Sequence, residues 1–161
     1  RSVDAGKTLA VPPPPPSGDL LVSDLPFQAT NGWGPVERDT SNGEQAAGDG
    51  RPITLNATVY ARGLGAHAPG DITVYLGRNC SSFTSVVGID DEAGASGSVR
   101  YHVLVDNREV ASTAVVTGAS APVSLTADLT AGEWLDLVLD DAGDGNGLDH
   151  ADWADAMIHC N

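Results

Sequence analysis

From residue 19 onward the chain is a succession of short runs rich in Val, Ile, Thr and Leu, each cut off by Gly, Asn or Asp. The runs fall at 19–25, 53–60, 72–76, 83–89, 98–105, 109–116, 123–128, 134–139 and 156–160. They recur roughly every 8 to 12 residues, the spacing of strands and turns in an all-β domain. No stretch sustains a 3.6-residue period between helix caps. The pattern predicts an all-β protein, an antiparallel β-sandwich or barrel.

The N-terminal stretch reads differently. Pro12 to Pro16 are five successive prolines, which can join neither a helix nor a ladder and favour an extended polyproline spacer. The expected division is a Pro-rich linker over 1–18 and one sandwich over 19–161, long enough for its own core. A linker cut from a longer protein and a tail with no partner domain both fit these residues. The net charge of −14, with only eight Lys and Arg and none clustered, argues against nucleic acid and against an anionic membrane surface. No apolar run is long enough to span a bilayer.

The acidic residues gather in two places, Asp90-Asp91-Glu92 and the stretch from 140 to 155. Loop 140–153 carries closely spaced carboxylates among glycines that let the backbone turn sharply, a donor set suited to a hard cation such as calcium. Asp141, Asp144 and Asp149 are the expected ligands, with Asp90, Asp91 and Glu92 as weaker candidates. The spacing is not that of an EF-hand, and a solvated acidic turn is the competing reading. Cys80 and Cys160 are the only cysteines; a disulfide and two buried thiols are both open.

In an antiparallel sandwich every connection reverses the chain. Counted back from the C-terminus, three unusual loops then meet at one end: 63–70 with His67, 90–97, and 140–153. Cys80 and Cys160 fall together at the other end. His67, flanked by small residues and without further His or Cys at metal-ligand spacing, suits a neutral hydrogen-bonding partner for a sugar hydroxyl, or a structural histidine satisfied by backbone. Trp33 in Asn31-Gly32-Trp33-Gly34-Pro35 can present a flat apolar face to a sugar ring, with Glu37 and Asp39 accepting hydroxyl hydrogen bonds, or can pack on the sandwich edge. Trp134 and Trp153 begin strands and read as core.

The segments Gly-Trp-Gly-Pro-Val-Glu-Arg-Asp at 32–39, Gly-Leu-Gly-Ala-His-Ala at 63–68, Val-Gly-Ile-Asp-Asp-Glu at 87–92 and Asp-Ala-Gly-Asp-Gly…Asp-His-Ala-Asp-Trp-Ala-Asp-Ala at 141–156 resemble the NPCBM family, also called carbohydrate-binding module family 51. The resemblance covers about residues 20–160. It implies a galactose-binding-like jelly-roll sandwich with structural calcium, attached to a glycoside hydrolase, and includes relatives that recognise galactose and blood-group glycans. The sequence departs from the pattern at Pro69-Gly70, where Ser often follows His-Ala, and at Asn107, where Gly is usual. The expectation is therefore a secreted, monomeric, non-catalytic carbohydrate-binding module, lectin-like and directed at terminal galactose-type sugars. Its partners are a glycan and a covalently linked catalytic domain, with no nucleic acid and no membrane. Trp33, Glu37, Asp39 and His67 are the expected sugar contacts. An adhesion module on the same fold, or a glycoside hydrolase with two carboxylates about 5 to 9.5 Å apart, are the alternatives.

Overall fold

The computed structural model describes residues 11–161; the part of the expected linker over 1–10 lies outside the described residues. The strands are β1 (Gly18–Leu21), β2 (Gln28–Thr30), β3 (Glu37–Arg38), β4 (Ile53–Leu55), β5 (Thr58–Tyr60), β6 (Gly63–His67) and β7 (Gly70–Tyr75). They continue as β8 (Cys80–Ile89), β9 (Ser98–Val105), β10 (Arg108–Ser112), β11 (Val116–Thr117), β12 (Val123–Asp128), β13 (Trp134–Asp140) and β14 (His150–Cys160). One sheet runs β12-β8-β14-β6-β3, with β1 on β14; the other runs β10-β9-β13-β7-β2, with β11 on β9; β4 and β5 form a separate hairpin. The described strand pairs are antiparallel, so the molecule is an all-β sandwich as the sequence pattern requires.

Strand β9 shows the local cause. Its residues alternate in exposure, burying Val99, Tyr101, Val103 and Val105, because successive side chains of a strand point to opposite faces. These meet Phe83, Val87, Trp153 and Ile158 from the other sheet in one core. Trp153 is its centre, with its ring 4.9 Å from that of Tyr101 and 6.1 Å from that of Phe83. The Tyr101 hydroxyl donates to Gly88 O at 2.6 Å, so the buried phenol is satisfied.

The structure redraws several elements. The run at 53–60 is a hairpin, not one strand, because Asn56 and Ala57 both take positive φ in a two-residue turn. The segment 63–70, expected as a loop, is strand β6 plus a turn at Ala68-Pro69. Strand β14 begins at His150 rather than at 156, so the acidic loop ends at Asp149. The end-to-end bookkeeping survives these changes. His67, Ile89, Ser98, Asp140 and His150 sit at one end of the sandwich, here called the upper end. Gly18, Tyr75, Cys80, Trp134 and Cys160 sit at the lower end. There Cys80 and Cys160 are register partners and form a disulfide. The bridge closes a loop of 80 residues, and the chain-entropy model gives about 4 to 5 kcal/mol for that length.

Candidate functional site

The upper end is built by a turn, two histidines and a loop. The turn 31–35 is clamped by two asparagine amides. Asn31 Nδ2 donates to Trp33 O at 2.9 Å and to Gly34 O at 3.1 Å; Asn42 Nδ2 donates to Trp33 O at 2.9 Å and to Pro35 O at 3.1 Å. Asn31 also receives the His67 N–H at 2.7 Å, and Gly32 N donates to His67 O at 3.0 Å, so the turn is tied to the end of β6. Gly34 has φ +62, and a Cβ there would sit 2.3 Å from Glu44 O. With its backbone held this way, the Trp33 side chain remains 40% exposed.

His67 and His150 are register partners on β6 and β14, with ring centroids 5.1 Å apart. His67 Nδ1–H donates to Ala68 O at 2.7 Å. A carbonyl only accepts, so the proton is on Nδ1 and Nε2 is the acceptor of the neutral ring. Burial, reinforced by His150, lowers the His67 pKa against the opposing Ala68 bond. His150 Nδ1–H donates to Glu92 Oε2 at 2.9 Å, and that bond raises its pKa against burial. His150 is thus the ring that takes up a proton first, and when charged it offers a second N–H. Trp33, Glu44, His67, Asn146, Gly147, Leu148 and His150 line an open cleft of about 290 Å³. Its apolar surfaces are the exposed rings of Trp33 and the 49%-exposed Leu148. Glu44 is the carboxylate at its margin, so the cleft has no facing pair of acids.

Of the four expected sugar contacts, Trp33 and His67 line this cleft, and Glu37 and Asp39 do not. Glu37 is buried and its Oε2 accepts from Gly48 N at 2.6 Å. Asp39 accepts from Arg62 Nε at 3.0 Å and Gly63 N at 3.1 Å; burial would raise its pKa, but these bonds outweigh it and hold it below the usual carboxylate range. Glu37 is thus engaged by the backbone of Gly48, and Asp39 by the Arg62 side chain and the first residue of β6. His150, Glu44 and Leu148 are the residues that the sequence did not single out for the cleft. His150 was legible only as part of the acidic stretch.

The two acidic clusters also separate. Asp90 accepts from Thr54 N and Glu92 N, Asp91 from Asn56 N and Ala57 N, and Glu92 from Ser41 Oγ, Gly43 N and His150. These three carboxylates bolt the flap 40–57 onto the sandwich. Beneath it Asp152 is fully buried, and neither of its oxygens has an N–H partner. Burial, then the adjacent Asp90, push its carboxyl well above the ordinary range. In the acidic loop, Asp149 Oδ1 accepts from Ser98 N at 2.8 Å and Asp144 Oδ2 accepts from Ser98 Oγ at 2.5 Å. Asp141 Oδ1 accepts from Gly143 N at 2.9 Å. Asp149 is 1% exposed and its Oδ2 is buried without a partner. Burial, with repulsion from Asp144 and Asp141 and against the Ser98 bond, pushes its pKa up to about 6. Among the described residues, no three His, Cys, Asp or Glu side chains converge closely enough to hold a metal by themselves. The orphaned Asp149 oxygen beside Asp144 fits a cation only if backbone carbonyls complete the shell.

Residues 18–159 match the model of the NPCBM/NEW2 domain family. The chain is 40% identical over 163 residues to a Renibacterium salmoninarum protein named as an endo-alpha-N-acetylgalactosaminidase; the match covers all of this chain and 11% of that protein. The CBM51 from Clostridium perfringens GH95, solved with methyl-galactose, superposes with a TM-score of 0.78 at 30% identity, over 87% of this chain and 99% of that one. The CBM51-2 module of Clostridium perfringens ZmpB, solved with GlcNAc and with INT domains, gives 0.80 at 31% identity, over 88% of this chain and 31% of that one. A longer ZmpB structure, holding the M60 catalytic domain with the CBM51-1 and CBM51-2 domains, gives 0.79 at 31% identity, over 88% of this chain and 15% of that one.

Proposed function

The chain belongs to the NPCBM/NEW2 family and is a non-catalytic carbohydrate-binding module, and from that premise we propose that its cleft between Trp33 and Leu148 takes a terminal galactose-type sugar. The observation that carries this reading is the neutral His67, with Nδ1–H committed to Ala68, lying beside His150 in the same cleft as an exposed Trp33. An indole face covers the apolar side of a sugar ring. A fixed imidazole acceptor selects a hydroxyl by position, and an unpaired buried partner costs about 1 to 3 kcal/mol. Glu44 accepts a further hydroxyl at the rim. The methyl-galactose bound to the relative supports galactose, and the GlcNAc bound to the ZmpB module supports an N-acetylhexosamine as the second reading. One shallow site engages few atoms and binds weakly. Attachment to a glycoside hydrolase on a surface of repeated glycan ends would make that sufficient through avidity. The disulfide suits an oxidising, exported setting.

Calorimetry with methyl-galactose, methyl-N-acetylglucosaminide and glucose tests the sugar assignment. Galactose should bind best, and His67→Ala and Trp33→Ala should each lose about tenfold or more. Unchanged galactose affinity in both variants would remove the pocket from this cleft.

Calcium belongs to the same proposal. Asp149 and Asp144 would hold it, with Asp141 and loop carbonyls in support; the ion would neutralise the cluster and stiffen the loop that carries Asn146 and Leu148. A ligand bound only to the folded state raises the melting temperature. Millimolar calcium should therefore raise Tm relative to excess chelator at pH 7.5. The gain should fade as pH falls through about 6, where Asp149 takes up a proton and stops ligating. Identical melting with calcium and with chelator at pH 7.5 would dismiss the ion.

A further inference from the structure

The proline run does not stand clear of the sandwich. Pro15 is buried, and Pro12 to Pro16 lie along Leu25, Pro26 and Tyr75 at the lower end. The fit is close: a Cβ added to Gly77 would sit 3.0 Å from the Pro14 Cβ and 3.3 Å from a ring carbon of Tyr75. Gly77 has φ +62, so this position favours glycine on both counts. Tyr75 is itself fixed, its ring packed edge-on to Trp134 at 4.9 Å. Val11 and Pro12 continue along an apolar groove with Phe27 and Trp134.

We propose that residues 11–16 are a polyproline ligand that the domain binds in cis, a strap seated on a Tyr75–Pro26 platform rather than a free spacer. Three properties of proline make it suited to this. It has no N–H, so burying Pro15 and laying its neighbours against the sheet leaves no donor unsatisfied. Its φ is fixed beforehand, so docking orders little chain. Its rings present apolar faces to aromatic side chains, which is how grooves elsewhere recognise polyproline segments. A Gly/Ser segment of the same length would have none of these advantages and would remain a coil. The strap also runs into a rigid anchor. Gly18 of β1 is the register partner of Cys160, which is disulfide-bonded to Cys80. The strap therefore fixes the direction in which Val11 meets the domain, at the end opposite Trp33 and His67.

Because the strap and the cleft lie at opposite ends, the test is independent of the sugar assignment. NMR of the full chain should show contacts from Pro14 to the Tyr75 ring and to Gly77. Amide order parameters at Val11 and Ser17 should approach the rigid-backbone value of about 0.85. In a Pro14→Gly, Pro15→Gly double variant these two amides should fall below about 0.6, while the amides of Trp33 and His67 and the affinity for methyl-galactose stay as in the parent. This variant leaves every core residue in place, so its folding is not at issue. Order parameters below about 0.6 at Val11 and Ser17 in the parent chain, or values unmoved by the double substitution, would overturn the strap.

Discussion

His102 is held between two carboxylates, with Nδ1 2.5 Å from Glu109 Oε1 and Nε2 2.6 Å from Asp140 Oδ2. Burial works against its charge, but the bonds to Asp140 and Glu109 outweigh it and raise its pKa above the ordinary value. A histidine raised in this way adds stability that is fully present below its unfolded pKa of about 6.5 and is lost as pH rises through the folded value. The cluster is partly exposed, which limits the contribution to about 1 kcal/mol or less. His102→Gln should lower Tm at pH 5.5 and leave it unchanged at pH 9. An equal loss at both pH values would show that the ring acts by packing alone. At this scale the sequence is legible where a residue type has one use in its setting: Trp33 in a glycine turn and His67 among small residues are both in the cleft. Glu37 and Asp39 lie outside the cleft, and residue type alone does not reveal this, because a carboxylate serves a backbone N–H as readily as a sugar hydroxyl. Only three-dimensional placement shows that Gly48 and Gly63 have claimed them.

Strands β6 and β14 set the limit of sequence reading at the scale of elements. Alternation betrays a strand with one wet face, and β9 shows it. In β6 all five residues are buried, and so are the first five of β14. A strand covered on both faces has no alternation, and the two glycines of β6 imitate a loop. The cover is the flap 40–57, pressed onto Gly65 so closely that a Cβ there would sit 2.3 Å from Thr40 O and 2.4 Å from Asn42 N. Both neighbours are backbone, so Gly65→Ala must displace the flap, at a cost of about 1 to 3 kcal/mol. That corresponds to several degrees in Tm. The same change should weaken sugar binding, because Asn42 clamps the turn that presents Trp33. Gly147→Ala in the cleft wall meets nothing within 4 Å and should leave Tm unmoved. Equal melting of the two variants would mean that the flap is not seated as described.

The whole molecule divides its work between its two ends. The lower end holds the disulfide, the pairing of Gly18 with Cys160, and the proline strap, so the chain enters beside the point where β14 finishes. The upper end gathers His67, His150, Trp33 and the acidic loop, facing away from that junction. This polarity was legible in the sequence, because antiparallel connections fix which turns share an end even when individual strand limits are wrong. The composition of the cleft was not, since Leu148 and Glu44 reach it from segments with no strand pattern. The central claim is that sugar is bound at the upper end, and amide chemical-shift mapping during titration with methyl-galactose tests it most directly. The predicted result is a contiguous set of shifts at Trp33, His67, Gly147, Leu148 and His150, with Tyr75, Gly77 and Cys160 unmoved. Saturable shifts centred on the lower end, with the upper-end amides silent, would contradict it.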